Sequence, residues 1–402
     1  MHTSDWHLGQ KFASRERDEE HRMALDWLAL TIIEQEIEVL ILAGDVFDIG
    51  NPPNFARTLY YNFFKEIRRS NCRHIVITAG NHDSPHMLEA PKELLQLLDI
   101  HVVGLAKENP ADEVLVLKDE NGEPEIVVAA VPFLRDQDLR RAVSGETGND
   151  RIERIKQGIL AHYHAVAQAA APFKKLKIPI IATGHLFATG AQTSDKQENI
   201  YLGNLENIRA DQFPALFDYV ALGHIHRAQA VGGLKHVRYS GSLIPLSFSE
   251  TKDDKSVTVI EFQKNKIQAV RELPVPVFRR LKTIEGRLPE VQERMEALHQ
   301  KYKDHLTTWV EVIVESDALI PNLHGLLRDF AREMNLDLLK TKLKTHFHSL
   351  DTMLEVVELS ELEPVEVFRK KCESAGRPPD DIDTLIETFR ELEEWVKEEE
   401  NH

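Results

Sequence analysis

Five short segments built from Gly, Asp, Asn and His punctuate the first part of the chain. They are His2-Thr-Ser-Asp5-Trp-His7-Leu-Gly9, Gly44-Asp45-Val-Phe-Asp48, Gly80-Asn81-His82-Asp83, Gly184-His185 and Gly223-His224-Ile-His226. Four of them directly follow an apolar run, at residues 39–43, 75–79, 178–183 and 219–222. Short runs rich in Val, Ile and Leu read as buried strands, and the stretches between them carry helical periodicity. Strands alternating with helices make an α/β core. Side chains at the carboxyl ends of neighbouring strands converge, and open α/β sheets bind ligands there. One shared site is therefore predicted from all five segments.

The donor types say what such a site holds. Carboxylate, imidazole and amide groups without thiolates suit hard or borderline cations such as Mn²⁺, Fe²⁺, Mg²⁺ or Zn²⁺. The side chains of Asp5, His7, Asp45, Asn81, His185, His224 and His226 are more donors than one ion takes, so two ions sharing a bridging Asp are expected. Metals paired about 3.5–4 Å apart activate water and clamp phosphate oxygens, which makes phosphoester hydrolysis the expected reaction class. A Gly ahead of each ligand lets backbone approach closely. His82, beside Asn81, is placed to reach a phosphate; Asp48, three residues past Asp45, is weighed as a supporting residue.

Together the segments resemble the calcineurin-like metallophosphoesterase pattern. Their wording is similar to the SbcD family of bacterial double-strand-break repair nucleases. That likeness rests on His2-Thr-Ser-Asp-Trp-His-Leu-Gly9, Ala43-Gly-Asp-Val-Phe-Asp48, Ala221-Leu-Gly-His-Ile-His-Arg227 and Tyr239-Ser-Gly-Ser-Leu-Ile-Pro-Leu-Ser247. It implies an α/β fold, a four-layer α/β/β/α sandwich with a small α+β capping domain and a C-terminal helical pair. It also implies a first metal on Asp5, His7, Asp45 and His226 and a second on Asp45, Asn81, His185 and His224, with Mn²⁺ the expected ion. His82 would be the catalytic histidine, with Asp83 supporting it. The implied activity is a double-strand exonuclease and single-strand or hairpin endonuclease serving DNA repair, recombination and replication. The implied partners are DNA and an SbcC-like ATPase, with both proteins present in two copies. The family pattern carries apolar residues ahead of the His-Thr-Ser segment, so the first strand is clipped here, with two expectations: a misassigned start, or Asp5 and His7 at a frayed terminus with a weaker first-metal site.

Three regions follow. Residues 1–275 form the metallophosphoesterase domain. A Pro-rich stretch, Leu273-Pro-Val-Pro-Val277, precedes a strand–helix–strand–helix–strand unit at 276–345, which the resemblance makes a capping and DNA-binding domain. Residues 346–402 carry two amphipathic segments, 364–375 and 381–400, expected to grip the ATPase. The helix at 55–69 bears apolar residues on more than one face; all of them filling the core is one reading, and the family's habit of dimerising nearby favours a two-fold contact built from this helix and the helix at 87–98. Lys11, Arg15, Arg135, Arg140 and Arg141 are candidate contacts to the DNA backbone.

Composition narrows the field. A net charge of −17 speaks against an indiscriminate nucleic-acid binder, so DNA contact must come from local basic patches or from a partner. Cys72 and Cys372 stand alone, which argues against a disulfide framework or thiolate metal site. No apolar run nears the roughly 20 residues that span a bilayer, and a cytoplasmic location is expected. His21, His74, His162, His164, His346 and His348 read as ordinary surface or core residues. Fold and metals alone leave open a stand-alone phosphoesterase acting on nucleotides, phosphoproteins or cyclic phosphodiesters.

Overall fold

The computed structural model describes residues 1–139, 147–192 and 208–345. It adds positions 365, 368, 369, 371, 372, 382, 385, 386, 388 and 389 of the terminal segments. The chain divides into two compact units, Met1–Lys282 and Thr283–His402.

Unit one is built on two six-stranded sheets. The first opens with parallel strands β1 (His2–Thr3), β2 (Val39–Ala43), β3 (His74–Thr78) and β4 (Ile100–Val103). The second comprises β5 (Val114–Lys118), β6 (Pro124–Ala129), β7 (Ile180–His185), β8 (Tyr219–Gly223), β9 (Gln229–Val231) and β10 (Leu234–Tyr239). Its order is β9-β10-β8-β7-β6-β5, parallel in the middle and antiparallel at both edges. The hairpin β11 (Ser256–Gln263) and β12 (Lys266–Pro274) then returns to the first sheet beside β1.

Period-two alternation explains how both faces of these strands are buried. Leu40 and Leu42 of β2 and Ile75 and Ile77 of β3 join one apolar cluster with α1 (Asp18–Glu34) and α2 (Asn54–Ile67). Their neighbours Ile41 and Val76 face the other way. They cluster with Val103, Leu117, Ile126, Val128, Ile181, Tyr219 and Ala221, drawn from both sheets. The outer face of the second sheet, with Val127, Ala129, Ile180, Ala182, Val220 and Leu222, packs on α3 (Gly148–Lys175). Each fully buried Leu, Ile or Val contributes about 1.5–3 kcal/mol, so these faces dominate the drive to fold. The start of α3 is set by a capping box in which the Thr147 hydroxyl accepts from the Asp150 amide at 3.2 Å.

The expectation of a frayed first strand is corrected. β1 has only two residues, yet it is flanked on both sides, His2 facing Ile41 of β2 and Thr258 of β11. The His2 ring lies within hydrogen-bond distance of the Tyr219 hydroxyl, 3.1 Å, and the Leu222 carbonyl, 3.2 Å. Ladder bonds on two edges and ring contacts to the second sheet hold what length alone would leave loose.

Unit two follows the element order read from the sequence: β13 (Leu281–Gly286), α4 (Leu288–Tyr302), β14 (Thr308–Ser316), α5 (Leu323–Ala331) and β15 (Leu336–Thr345). The strands lie in that order, with β14 and β15 parallel, around Val291, Met295, Val310, Val312, Val314 and Leu327. Among the terminal segments, Phe368 and Phe389 stack at 4.4 Å, and Cys372, Ile382 and Ile386 are buried together. No helix among the described residues is long and apolar enough to cross a membrane.

Candidate dimetal centre

The loops leaving β1, β2 and β3 meet those leaving β7 and β8. Asp5 donates its amide to Gly44 O at 3.0 Å, and its Oδ1 accepts from the His224 amide at 2.9 Å, joining the two sheets at a ligand. His7 donates its amide to Asp45 O at 3.0 Å. Asp45 Oδ2 lies 3.4 Å from His7 Nε2 and 3.2 Å from His185 Nε2, so this carboxylate sits between two imidazoles from different sheets. Asn81 Oδ1 is 3.0 Å from His185 Nε2 and 3.2 Å from His224 Nδ1. Asp5, His7 and His226 offer ligand atoms within 4.8 Å of one another, as do Asp5, Asp45 and His185, and His7, Asp45 and His82. All seven predicted ligands are thus brought together.

Glycine and strained backbone make this crowding possible. A methyl group at Gly223 would collide with the Ala43 carbonyl and the His185 ring, and one at Gly80 with Asp45. Asp5, His7, Asp45 and His224 themselves adopt positive φ values of 52°, 45°, 50° and 98°. Such residues cost of order 1–3 kcal/mol each and persist only where surroundings enforce them, most often at functional sites.

The electrostatics favour cations. Burial alone would lower the imidazoles of His7 and His185, but Asp48 and Asp45 around the first and Asp45 around the second raise each to about 9. Burial, helped by neighbouring His185, lowers His224 to about 3 and leaves its ring neutral. His185 Nδ1 lies 3.0 Å from Ala43 O, and a carbonyl only accepts; Nδ1 therefore keeps its proton, and the one on Nε2, facing Asp45, is the one a bound cation would displace. His7 Nε2 is a buried ring nitrogen with no hydrogen-bond partner. Buried carboxylates and oriented imidazoles, with His7 Nε2 turned to Asp45 and making no hydrogen bond, fit divalent ions.

His82 is exposed, donates its amide to Asp45 Oδ1 at 2.9 Å and donates Nδ1–H to Asp48 O at 2.8 Å. Asp83 does not play the part expected of it. Its carboxylate makes no bond to His82 and accepts three backbone amides instead, from Val46 at 3.1 Å, Phe47 at 2.9 Å and Gly80 at 2.8 Å. It staples the Asp45 loop to the Asn81 loop. Burial and then the nearby Asp45 charge raise it to about 6. Asp48 meets His7 Nδ1 at 3.0 Å through Oδ1, a supporting contact of the kind weighed for it.

Glu250 carries no signal in the sequence. Its Oε1 lies 3.1 Å from His226 Nδ1, and Oε2 accepts from Lys255 Nζ at 2.6 Å and from the Leu246 amide at 3.1 Å. No apolar strand runs into it and no glycine leads it, so the pattern that marks the other donors is missing.

The basic candidates divide. Lys11 and Arg15 are exposed on a two-residue ribbon, Lys11 pairing with Glu16 at 3.7 Å. Arg135 is engaged by Asp138 through Nε at 2.9 Å and Nη2 at 3.0 Å, while Arg140 and Arg141 lie outside the described residues. Arg17, from the same basic stretch as Lys11, is fully buried on Glu20, Gln10 and Pro245 O and is a structural anchor.

The sequence model of the calcineurin-like phosphoesterases matches residues 1–228, and that of SbcD_C, the type 5 capsule protein repressor C-terminal domain, matches residues 277–375. The chain is 36% identical over 376 residues to SbcD of the SbcCD nuclease from Escherichia coli (strain K12), covering 92% of each chain. It belongs to the SbcD family. A second SbcD relative, from Rhodobacter capsulatus, is 36% identical over 285 residues, 69% of each chain. A third, from Bacillus subtilis, is 31% identical over 262 residues, 65% of each chain. The calcineurin-like match spans all five ligand segments of this SbcD-family chain.

Proposed function

We propose that the chain is a DNA nuclease, a phosphodiesterase working with two divalent ions, Mn²⁺ the expected pair, in an SbcCD-type complex. One observation carries this reading: seven oxygen and nitrogen donors from both sheets, Asp45 among them, converge on one place. Asp5, His7, Asp45 and His226 would hold one ion, and Asp45, Asn81, His185 and His224 the other. When bound, such a pair supplies Lewis acidity toward a phosphate and an activated water for in-line displacement.

The protein's own groups do the rest. Asp48 holds His7, Ala43 O holds His185 and Glu250 holds His226, each contact leaving the opposite ring nitrogen for the site. His82, its Nδ1–H committed to Asp48 O, keeps Nε2 to bond or protonate a phosphate or leaving-group oxygen. Asp83 fixes the two loops and is a positioning residue.

The same reading takes the helices and sheets of unit one as an α/β/β/α sandwich, residues 276–345 as a capping and DNA-binding domain, and 346–402 as the segment that binds an SbcC-like ATPase. Lys11, Arg15 and Arg135 are its DNA-backbone contacts among the described residues. A homodimer through residues 55–69 and 87–98, giving a complex with two copies of both proteins, is supported by exposed Leu94, Leu97 and Leu98. The cytoplasm is the expected compartment, and repair, recombination and replication the expected processes.

The test supplies Mn²⁺ with duplex DNA, hairpin DNA or a chromogenic phosphodiester. Wild type is expected to cut all three, from duplex ends and within hairpins, and His82→Ala to lose about 10²–10⁴-fold in rate. DNA left intact while nucleotides or phosphopeptides are hydrolysed would replace this reading with a stand-alone phosphoesterase.

A further inference from the structure

A second group of potential ligands lies away from the centre described above, at the amino ends of β3 and β4. His74 opens β3, and its neighbour across the ladder is Asp99, whose carbonyl accepts the Ile75 amide at 3.0 Å. His101, two residues beyond Asp99, pairs in register with Val76. Strand periodicity puts His74 on the same face as Val76, the face buried between the two sheets. His74, Asp99 and His101 offer ligand atoms within 4.8 Å of one another.

Two further observations distinguish this group from a chance meeting of polar residues. His74 is only 9% exposed, and its Nε2 lies 2.8 Å from the Lys118 carbonyl on the edge strand of the second sheet. A carbonyl only accepts, so Nε2 carries the proton and Nδ1 the lone pair. That Nδ1 is buried with no hydrogen-bond partner, and so is His101 Nε2. A backbone carbonyl fixing one imidazole nitrogen while the other stays unpartnered is the usual preparation of a metal-binding histidine. Burial, and then the adjoining His74, lower the His101 imidazole; Lys92 acts in the same sense and Asp99 opposes it. A neutral ring is the form that ligates.

We propose that His74, Asp99 and His101 form a separate site for a borderline divalent ion of the Zn²⁺ class, which clips β3 and β4 together at the far end of the first sheet from the dimetal centre. Two imidazoles and one carboxylate suit Zn²⁺ by type, with a solvent molecule as fourth ligand. Bonds of about 2.0–2.1 Å set tetrahedral ligands about 3.3 Å apart, so the group must close slightly. Asp99 is exposed and His101 half-buried, which leaves both a path for the ion and freedom to close.

The experiment is Zn²⁺ titration of the metal-stripped full chain, with the bound metal counted after dialysis and melting followed in parallel. His101→Ala is the principal variant because the side chain is half-buried, and Asp99→Asn the conservative one. Wild type is expected to bind one Zn²⁺ more per chain than His101→Ala, however many the dimetal centre takes, and to gain more in melting temperature. Asp99→Asn is expected to weaken that additional Zn²⁺ at least tenfold. Equal Zn²⁺ content and equal melting gain in wild type and His101→Ala would overturn the proposal. Mn²⁺-dependent phosphodiester cleavage reports separately on the dimetal centre, so the two readings stand or fall independently.

Discussion

At His226 the imidazole meets Glu250, and Glu250 in turn accepts from Lys255 and the Leu246 amide. Burial would raise the Glu250 carboxyl, but the His226 bond and the Lys255 charge outweigh it and lower it to about 2. The carboxylate is therefore ionised and holds the proton on His226 Nδ1. Glu250→Gln is expected to weaken Mn²⁺ binding by about 10–100-fold, as loss of such an outer partner commonly does. It also strands the buried Lys255 ammonium, a kind of loss that costs about 3–5 kcal/mol. Glu250→Gln with Lys255→Met is expected to regain stability in denaturant melts without regaining metal affinity. Recovery of both would make Glu250 a purely structural residue. These contacts mark the limit of what was legible at this scale. Candidate donors introduced by a strand and a glycine were legible from spacing, whereas Glu250 and the backbone role of Asp83 depend on which loops meet, and no local pattern encodes that.

The elements show the same division. Apolar runs at β2, β3, β7 and β8 were legible because buried strands need continuous hydrophobicity. β1 was not, since two residues carry no period; its place follows from partners on both sides. Nor could spacing foretell that four ligands adopt left-handed backbone, because intrinsic preference runs against it at Asp5, His7, Asp45 and His224. α2 settles a question of face: Tyr60, Phe63, Phe64 and Ile67 fill the core, while Tyr61 stays 45% exposed. The junction of β8 with β2 has no room for a side chain. Gly223→Ala is expected to cost more than the roughly 1–3 kcal/mol typical of overpacking, because the obstacle is the Ala43 carbonyl rather than a movable side chain. A melting temperature equal to wild type would show that the junction gives way.

For the whole molecule, two compact units share one chain, and unit one leaves Leu94 at 65% and Leu97 at 80% exposure. Large apolar side chains held out in water commonly mark a contact surface. Sedimentation velocity at micromolar concentration is expected to give a dimer, and Leu94→Glu/Leu97→Glu a monomer with unchanged melting. A monomeric wild type would remove that interface from the account. The centre itself draws Asp5, His7, Asp45 and Asn81 from the first sheet and His185, His224 and His226 from the second, with Glu250 following and β11 closing beside β1 last of all. Arranged in time rather than in space, this order means that a chain emerging from the ribosome exposes Asp5, His7, Asp45 and Asn81 well before the three histidines of the second sheet that join them. A growing polypeptide therefore carries only the first-sheet part of the candidate centre until synthesis has passed His226 and reached Glu250.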